Sequence, residues 1–243
     1  MSVSRVVGVL GGMGPAATID FMAKVLRHSQ QARGPGSREQ EDVRLLVDSN
    51  PALPDRNAAV AGTGPSPGPA LAGMARGLAR AGAEFLVMPC NAAHAFADAI
   101  VAATPLPFVS IVGETARTIR TGFPDATRVG VLAIEATAQA RLYEQALAPL
   151  GLVPIVPIGA GARAFMDVVW WIKAGDTGTA TRAAMRRAAE ALIGEGAELI
   201  VAGCSEVPLV LTPDDLAVPL LDATDILARR TVAYARGEAL QGA

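Results

Sequence analysis

Only two cysteines occur in the 243 residues, and they stand at matching places in a repeated line. Gly82-Ala83-Glu84 leads through Phe85-Leu86-Val87-Met88 to Cys90, and Gly196-Ala197-Glu198 leads through Leu199-Ile200-Val201-Ala202 to Cys204. Apolar packing is the ordinary fate of an isolated cysteine, and a single bridge between the two is also open. A matched pair suggests a third use. Two thiols on opposite faces of one carbon acid can take a proton from one side and return one from the other, which inverts the centre. One sulfur must start as thiolate and the other as thiol. A free thiol with a pKa of about 8.5 is only roughly 3% ionised at pH 7, so the surroundings must stabilise one thiolate. The carbanion also needs hydrogen-bond donors at its carboxylate, where the charge moves.

Other chemistries compete for the same residues. His94 follows Cys90 by one helical turn and could form a Cys-His nucleophile, while His28 lies on the first helix. Two cysteines and two dispersed histidines lack the spacing of a zinc site. The only lysines, Lys24 and Lys173, have no recognisable pyridoxal phosphate context, so no cofactor is expected. The loop Gly11-Gly12-Met13-Gly14-Pro15 resembles a dinucleotide fingerprint, with Asp48 closing the next strand. Its third glycine is replaced by Ala17, and Asp48 lies too far along the chain. It reads better as an anion-binding helix start.

The elements that must position the thiols are also written twice. Arg5-Val6-Val7-Gly8-Val9-Leu10 is nearly copied by Arg128-Val129-Gly130-Val131-Leu132, and Pro107-Phe108-Val109-Ser110-Ile111 is echoed by Val218-Pro219-Leu220-Leu221-Asp222. The copies keep their order around the cysteine lines. Short apolar strands are expected at 6–10, 43–47, 85–88, 108–111, 129–132, 152–157, 199–202 and 220–221. Helices are expected at about 16–31, 69–81, 92–102, 114–121, 137–150, 162–174, 179–194 and 224–236. Strands apolar throughout and separated by helices indicate parallel sheets covered on both faces. The fold class is α/β, with two similar pseudosymmetric domains, each a short, mainly parallel sheet covered by helices. Ligands of such sheets collect beyond the carboxyl ends of the strands, where both cysteines fall, so the site is expected in the cleft between the halves.

Composition narrows the partners. Apolar residues make up 51% of the chain, but Pro and Gly interrupt the longest charge-free stretches, so none forms an apolar span of roughly 20 residues. A formal net charge of −2 with no basic stripe argues against nucleic acid. The expected setting is the cytoplasm, with no membrane partner.

With the cysteine lines and the glycine loop in hand, the chain resembles the cofactor-independent aspartate/glutamate racemase superfamily, and the aspartate racemase branch in particular. The motifs that carry the likeness are Gly8-Val9-Leu10-Gly11-Gly12-Met13-Gly14-Pro15, Asn50-Pro51 with Pro54-Asp55-Arg56, Met88-Pro89-Cys90-Asn91, Ile172-Lys173-Ala174-Gly175 and Gly203-Cys204-Ser205-Glu206. The resemblance implies a homodimer acting on aspartate or glutamate, with Cys90 and Cys204 as paired bases. It implies that Asn91 binds the α-carboxylate and that Arg56 and Lys173 recognise the distal one. The matched motifs also put Met13, Asn50, Ala92, Thr137, Ser205 and Glu206 at the substrate. From the family pattern, the first domain is expected to comprise residues 1–108 plus 212–243 and the second residues 109–211.

The departures bear on substrate choice. Ala92 stands where the family usually has Thr, Ser205 replaces Thr, and the turn Ala133-Ile134-Glu135-Ala136-Thr137 keeps only its last hydroxyl. A lost hydrogen bond to a charged group costs about 1.5–3 kcal/mol, enough to change substrate preference. A maleate-type isomerase, a hydantoin racemase, a decarboxylase, a racemase of another amino acid and a non-catalytic dicarboxylate-binding protein stand as alternatives.

Overall fold

The computed structural model describes residues 4–36 and 38–239; the outer ends of the first expected domain, residues 1–3 and 240–243, lie outside them. Strands β1 (Val7–Gly11), β2 (Leu45–Ser49), β3 (Phe85–Val87) and β4 (Phe108–Val109) form one sheet in the order β2-β1-β3-β4. Strands β5 (Arg128–Val131), β6 (Val153–Ile155), β7 (Leu199–Ala202) and β8 (Leu220–Asp222) form a second in the order β6-β5-β7-β8. Every pairing is parallel. The shared strand order is the repeat seen in the sequence, now in space.

The helices are α1 (Pro15–Arg33), α2 (Arg56–Val60), α3 (Gly68–Arg80), α4 (Ala97–Val101), α5 (Ile111–Gly122), α6 (Glu135–Gln139), α7 (Leu142–Leu147), α8 (Gly159–Lys173), α9 (Thr179–Gly194) and α10 (Ala223–Ala235). Alternation along the strands divides the core. Val7, Val9, Phe85 and Val87 of the first sheet share one apolar cluster with Val129, Val131, Leu199 and Val201 of the second. The opposite faces pack separately, Leu10 and Leu86 with Leu71 and Leu78 of α3, and Ile200 and Ala202 with Phe165 of α8 and Leu192 of α9. A parallel strand buried on both faces must be apolar throughout, which is how these strands read.

The repeated Gly-Ala-Glu has one structural job in each half. Gly82 and Gly196 take φ of 95° and 94° just after α3 and α9, the left-handed geometry that ends a helix. Ala83 and Ala197 then pack where Gly8 and Gly130 leave room: a Cβ on Gly8 would lie 2.9 Å from Ala83 Cβ, and one on Gly130 would lie 3.0 Å from Ala197 Cβ. Glu84 accepts the Val6 N–H at 2.7 Å, and Glu198 accepts those of Thr127 and Arg128 at 2.6 and 2.8 Å. Each Glu thus secures the start of the neighbouring strand.

Several boundaries differ from expectation. β2 starts at Leu45 rather than Val43, because the Val43 N–H donates to Ser29 of α1 and pairing opens with Leu45 opposite Val7. The expected helix at 92–102 begins as a 3₁₀ turn, Ala92–Phe96, before α4. The one at 137–150 is split by Arg141, whose left-handed φ of 53° divides α6 from α7. From Thr212 onward the chain supplies β8 to the second sheet and then α10, which packs on α1 and α5.

Candidate active site

A cleft of about 440 Å³ lies beyond the carboxyl ends of the four inner strands. Its walls are the turns that follow them: Gly12–Ala16 after β1, Cys90–Ala92 after β3, Ile134 and Thr137 after β5, and Gly203–Glu206 after β7. One wall comes from the start of α2 through its cap Asp55 and through Arg56 and Asn57, and another from α8 through Met166, Val169, Trp170, Ile172 and Lys173. Both halves therefore contribute, as open parallel sheets require.

Of the residues singled out by sequence, Cys90, Cys204, Met13, Arg56, Asn91, Ala92, Thr137, Lys173, Ser205 and Glu206 all line this cleft. Asn50 does not. Its N–H donates to Gly11 and its Oδ1 accepts the Ala52 N–H, so it shapes the turn whose Pro51 reaches the cleft. Gly12, at φ 90°, passes against that turn so closely that a Cβ would meet the Asn50 backbone at 2.4 Å.

The two sulfurs have different neighbours. Cys204 Sγ donates to Glu206 Oε2 at 3.0 Å, which also accepts from Ser205 Oγ at 3.3 Å, and Lys173 Nζ holds Oε1 at 2.6 Å. Burial first, then the charge and hydrogen bond of Glu206, push the Cys204 thiol well above its ordinary pKa. Burial also pushes Cys90 up, but the Arg56 charge and the Ala93 N–H pull against it. Burial works to lower the Lys173 pKa, yet the Glu206 carboxylate outweighs it and the pKa rises.

Three buried polar atoms of cleft-lining residues have no partner. Asn91 Nδ2, Thr137 Oγ1 and Arg56 Nε are buried and make no hydrogen bond among the described residues. Buried polar groups rarely go unpaired, and a donor set of this kind suits an anionic group. Asn91 is oriented by Tyr143, whose hydroxyl donates to Asn91 Oδ1 at 2.8 Å and leaves the amide nitrogen free to donate elsewhere. Arg56 Nη1 donates to the Pro54 carbonyl at 3.1 Å.

His94 serves the backbone. The Ile111 N–H donates to Nε2 at 3.2 Å, so Nδ1 carries the hydrogen and donates it to the Cys90 carbonyl at 2.8 Å. Both ring nitrogens are thereby committed, which leaves none for the Cys90 thiol. Lys24 lies outside the cleft, with Asp20, Asp222 and Thr224. No group of three or more His, Cys, Asp or Glu side chains that could hold a metal occurs among the described residues. Glu135, which puts a negative charge in the turn after β5, is exposed, accepts from Gln139 and does not line the cleft.

Sequence reasoning missed Tyr143, Asn57 and the α8 wall of Met166 and Val169. Asn57 Oδ1 accepts the Ala136 N–H at 2.9 Å, joining the first half to the turn that carries Thr137. The Pro54-Asp55 pair was a legible start signal for α2, since Asp55 caps it by accepting the Ala58 N–H. No local signal marked Tyr143.

Comparison with known proteins agrees with this architecture. The chain is 27% identical over 228 residues to the broad specificity amino-acid racemase RacX of Bacillus subtilis (strain 168), spanning 93% of this chain and 96% of that protein. Its fold matches the Picrophilus torridus aspartate racemase with a TM-score of 0.80 at 23% identity, covering 98% and 96% of the two chains. It also matches glutamate racemase isoform RacE1 of Bacillus anthracis with a TM-score of 0.64 at 17% identity, covering 98% and 84%. At these identities the two structures speak for the fold. The family model described as Asp/Glu/Hydantoin racemase matches residues 10–231, and the chain belongs to that family.

Proposed function

We propose that this protein is a cofactor-independent amino-acid racemase in which Cys90 and Cys204 act as opposing acid and base at Cα, with aspartate as leading substrate and glutamate next. The observation that carries the reading is that the two cysteines, from matching turns of two different sheets, line one cleft together with unpaired buried donors. In this reading one thiolate removes the Cα proton and the other thiol delivers a proton to the opposite face. Asn91 Nδ2 and Thr137 Oγ1 receive the charge that builds on the α-carboxylate. Arg56 meets the distal carboxylate.

A wider substrate range has its own support. Lys173 is already paired with Glu206, so Arg56 is left as the cation for a second carboxylate. Met166, Val169, Trp170 and Ile172 give the same cleft an apolar wall. The broad specificity named for the Bacillus subtilis relative fits such a pocket.

The test is incubation of one enantiomer in D2O across the proteinogenic amino acids, read by chiral chromatography and mass spectrometry. Deuterium should appear at Cα of both enantiomers of aspartate, and Cys90→Ser or Cys204→Ser should each suppress inversion by at least about a hundredfold, the scale of losing a general acid or base. Absence of exchange and inversion throughout the panel overturns the activity; full activity in either variant overturns the two-base mechanism.

The reading includes a homodimer in the cytoplasm. Two free thiols suit a reducing compartment. Ile19, Met22 and Leu26 lie three and four residues apart on α1 and are exposed, a stripe that a second copy would cover.

A further inference from the structure

We infer that Glu206, held by Lys173, makes the two cysteines unequal at rest: Cys204 is the resident proton donor, Cys90 is the resident base, and Glu206 is the positioning residue that fixes the assignment. This rests on the two-thiol reading above. A carboxylate has no hydrogen to give, so the 3.0 Å contact between Cys204 Sγ and Glu206 Oε2 requires the sulfur to carry the proton. The other contacts on that carboxylate come from Ser205 Oγ and Lys173 Nζ, both donors. Glu206 therefore sits among Lys173 Nζ, Ser205 Oγ and Cys204 Sγ, each with a hydrogen to offer.

Cys90 has no carboxylate in hydrogen-bond contact among the described residues. Burial raises the Cys90 thiol as it does Cys204, and each sulfur receives one backbone N–H, from Ala93 and Glu206 respectively; the difference is that the nearby charge of Arg56 pulls Cys90 down, whereas Glu206 pushes Cys204 well up. The charged and titratable groups that act on Cys90 are Arg56, Glu206 and Lys173, with His94 held neutral beneath its carbonyl. Those around Cys204 are Glu206 and Lys173, with Tyr143 of α7 also within electrostatic reach. The sequence repeat placed the thiols symmetrically, and the residue two positions on breaks that symmetry: Glu206 follows Cys204, whereas Ala92 follows Cys90.

The consequence is a preferred first step. The Cα proton passes to the Cys90 thiolate, and the Cys204 proton passes to the opposite face of the carbanion. Cys204 then stands as a thiolate against the Glu206 carboxylate. Its unfavourable charge pairing is relieved when a proton leaves Cys90 for solvent and one returns to Cys204. No electron is exchanged with any other group.

Thiol alkylation reads this without substrate. Both cysteines are buried to the same degree, each residue 6% exposed, and alkylation of the unfolded protein normalises the two peptides. With iodoacetamide at pH 7, mapped by peptide mass spectrometry, Cys90 should react at least about tenfold faster than Cys204, because only thiolates attack. E206Q should raise the Cys204 rate at least about fivefold while leaving Cys90 within about twofold, and E206D, which retains the charge, should stay nearer the parent. Equal rates, a faster Cys204, or an E206Q protein with unchanged ratio overturns the assignment. Should E206Q fail to fold, the pH profile of the parent protein decides: the Cys204 inflection must lie above that of Cys90, and the reverse order overturns it. Because no substrate is involved, unequal thiols with no Cα exchange would sink the racemase reading alone, and exchange with equal thiols would sink only this one.

Discussion

His94 shows how one side chain can brace the turn of a candidate site without lining its cleft. It bridges the Cys90 carbonyl and the Ile111 N–H, so it ties the turn carrying the sulfur to the start of α5. Burial holds its pKa down at about 4, against an ordinary value near 6.5. A histidine with a depressed folded pKa binds its proton more readily in the unfolded chain. Its contribution is therefore complete above about pH 6.5 and is lost as pH falls towards 4, by an amount on the order of 3 kcal/mol. Urea unfolding between pH 7 and pH 4 should show this loss, and His94→Gln should flatten that part of the profile. An unchanged slope in the variant would show that His94 is not the group responsible.

At the scale of elements, two contacts decide how sheets and helices meet. Gly130 lets α9, the turn after it and the β7 side chains close on β5, since a Cβ there would meet Ile200 Cδ1 at 2.4 Å, Ala197 Cβ at 3.0 Å and Leu192 Cβ of α9 at 3.3 Å. Gly130→Ala should cost about 1–3 kcal/mol, as overpacking does, and a denaturation midpoint within error of the parent would contradict the close approach. Lys24 joins α1 to the end of β8 and the start of α10: it pairs with Asp20, meets Asp222 at 2.6 Å and donates to Thr224 Oγ1 at 2.8 Å. Its side chain is 8% exposed and the carboxylates 24% and 22%. Lys24→Met should destabilise by about 3 kcal/mol, the lower end for a broken buried pair because the carboxylates keep some water. A change below about 1 kcal/mol would place the cluster with ordinary surface pairs.

The whole molecule is two copies of one sheet order fastened through a common core, with the cleft where the carboxyl ends of both sheets converge. Since Val7 and Val9 share that core with Val129 and Val131, the halves are packed partners rather than beads on a linker. The proposed homodimer belongs at this scale. Sedimentation should give twice the 24.9 kDa of the chain, and Leu26→Asp, which puts a charge into the exposed stripe of α1, should shift it towards monomer. A monomeric parent at micromolar concentration would remove the dimer from the reading.

Much of this was legible in the sequence because it is written in local, repeated chemistry. Apolar strands separated by helices fix the α/β class. The duplicated Gly-Ala-Glu and cysteine lines fix the pseudosymmetry, and the turns after the strands fix where the thiols stand. Distances across the chain were not legible. Tyr143 reaches Asn91, Asn57 reaches Ala136, and Lys173 reaches Glu206 only after the two sheets and their helices have packed. A hydrogen bond between residues dozens of positions apart leaves no period or motif in the sequence. Hence the sequence alone determined the fold class and the pair of sulfurs, while packing decided which carboxylate, amide and cation each sulfur meets.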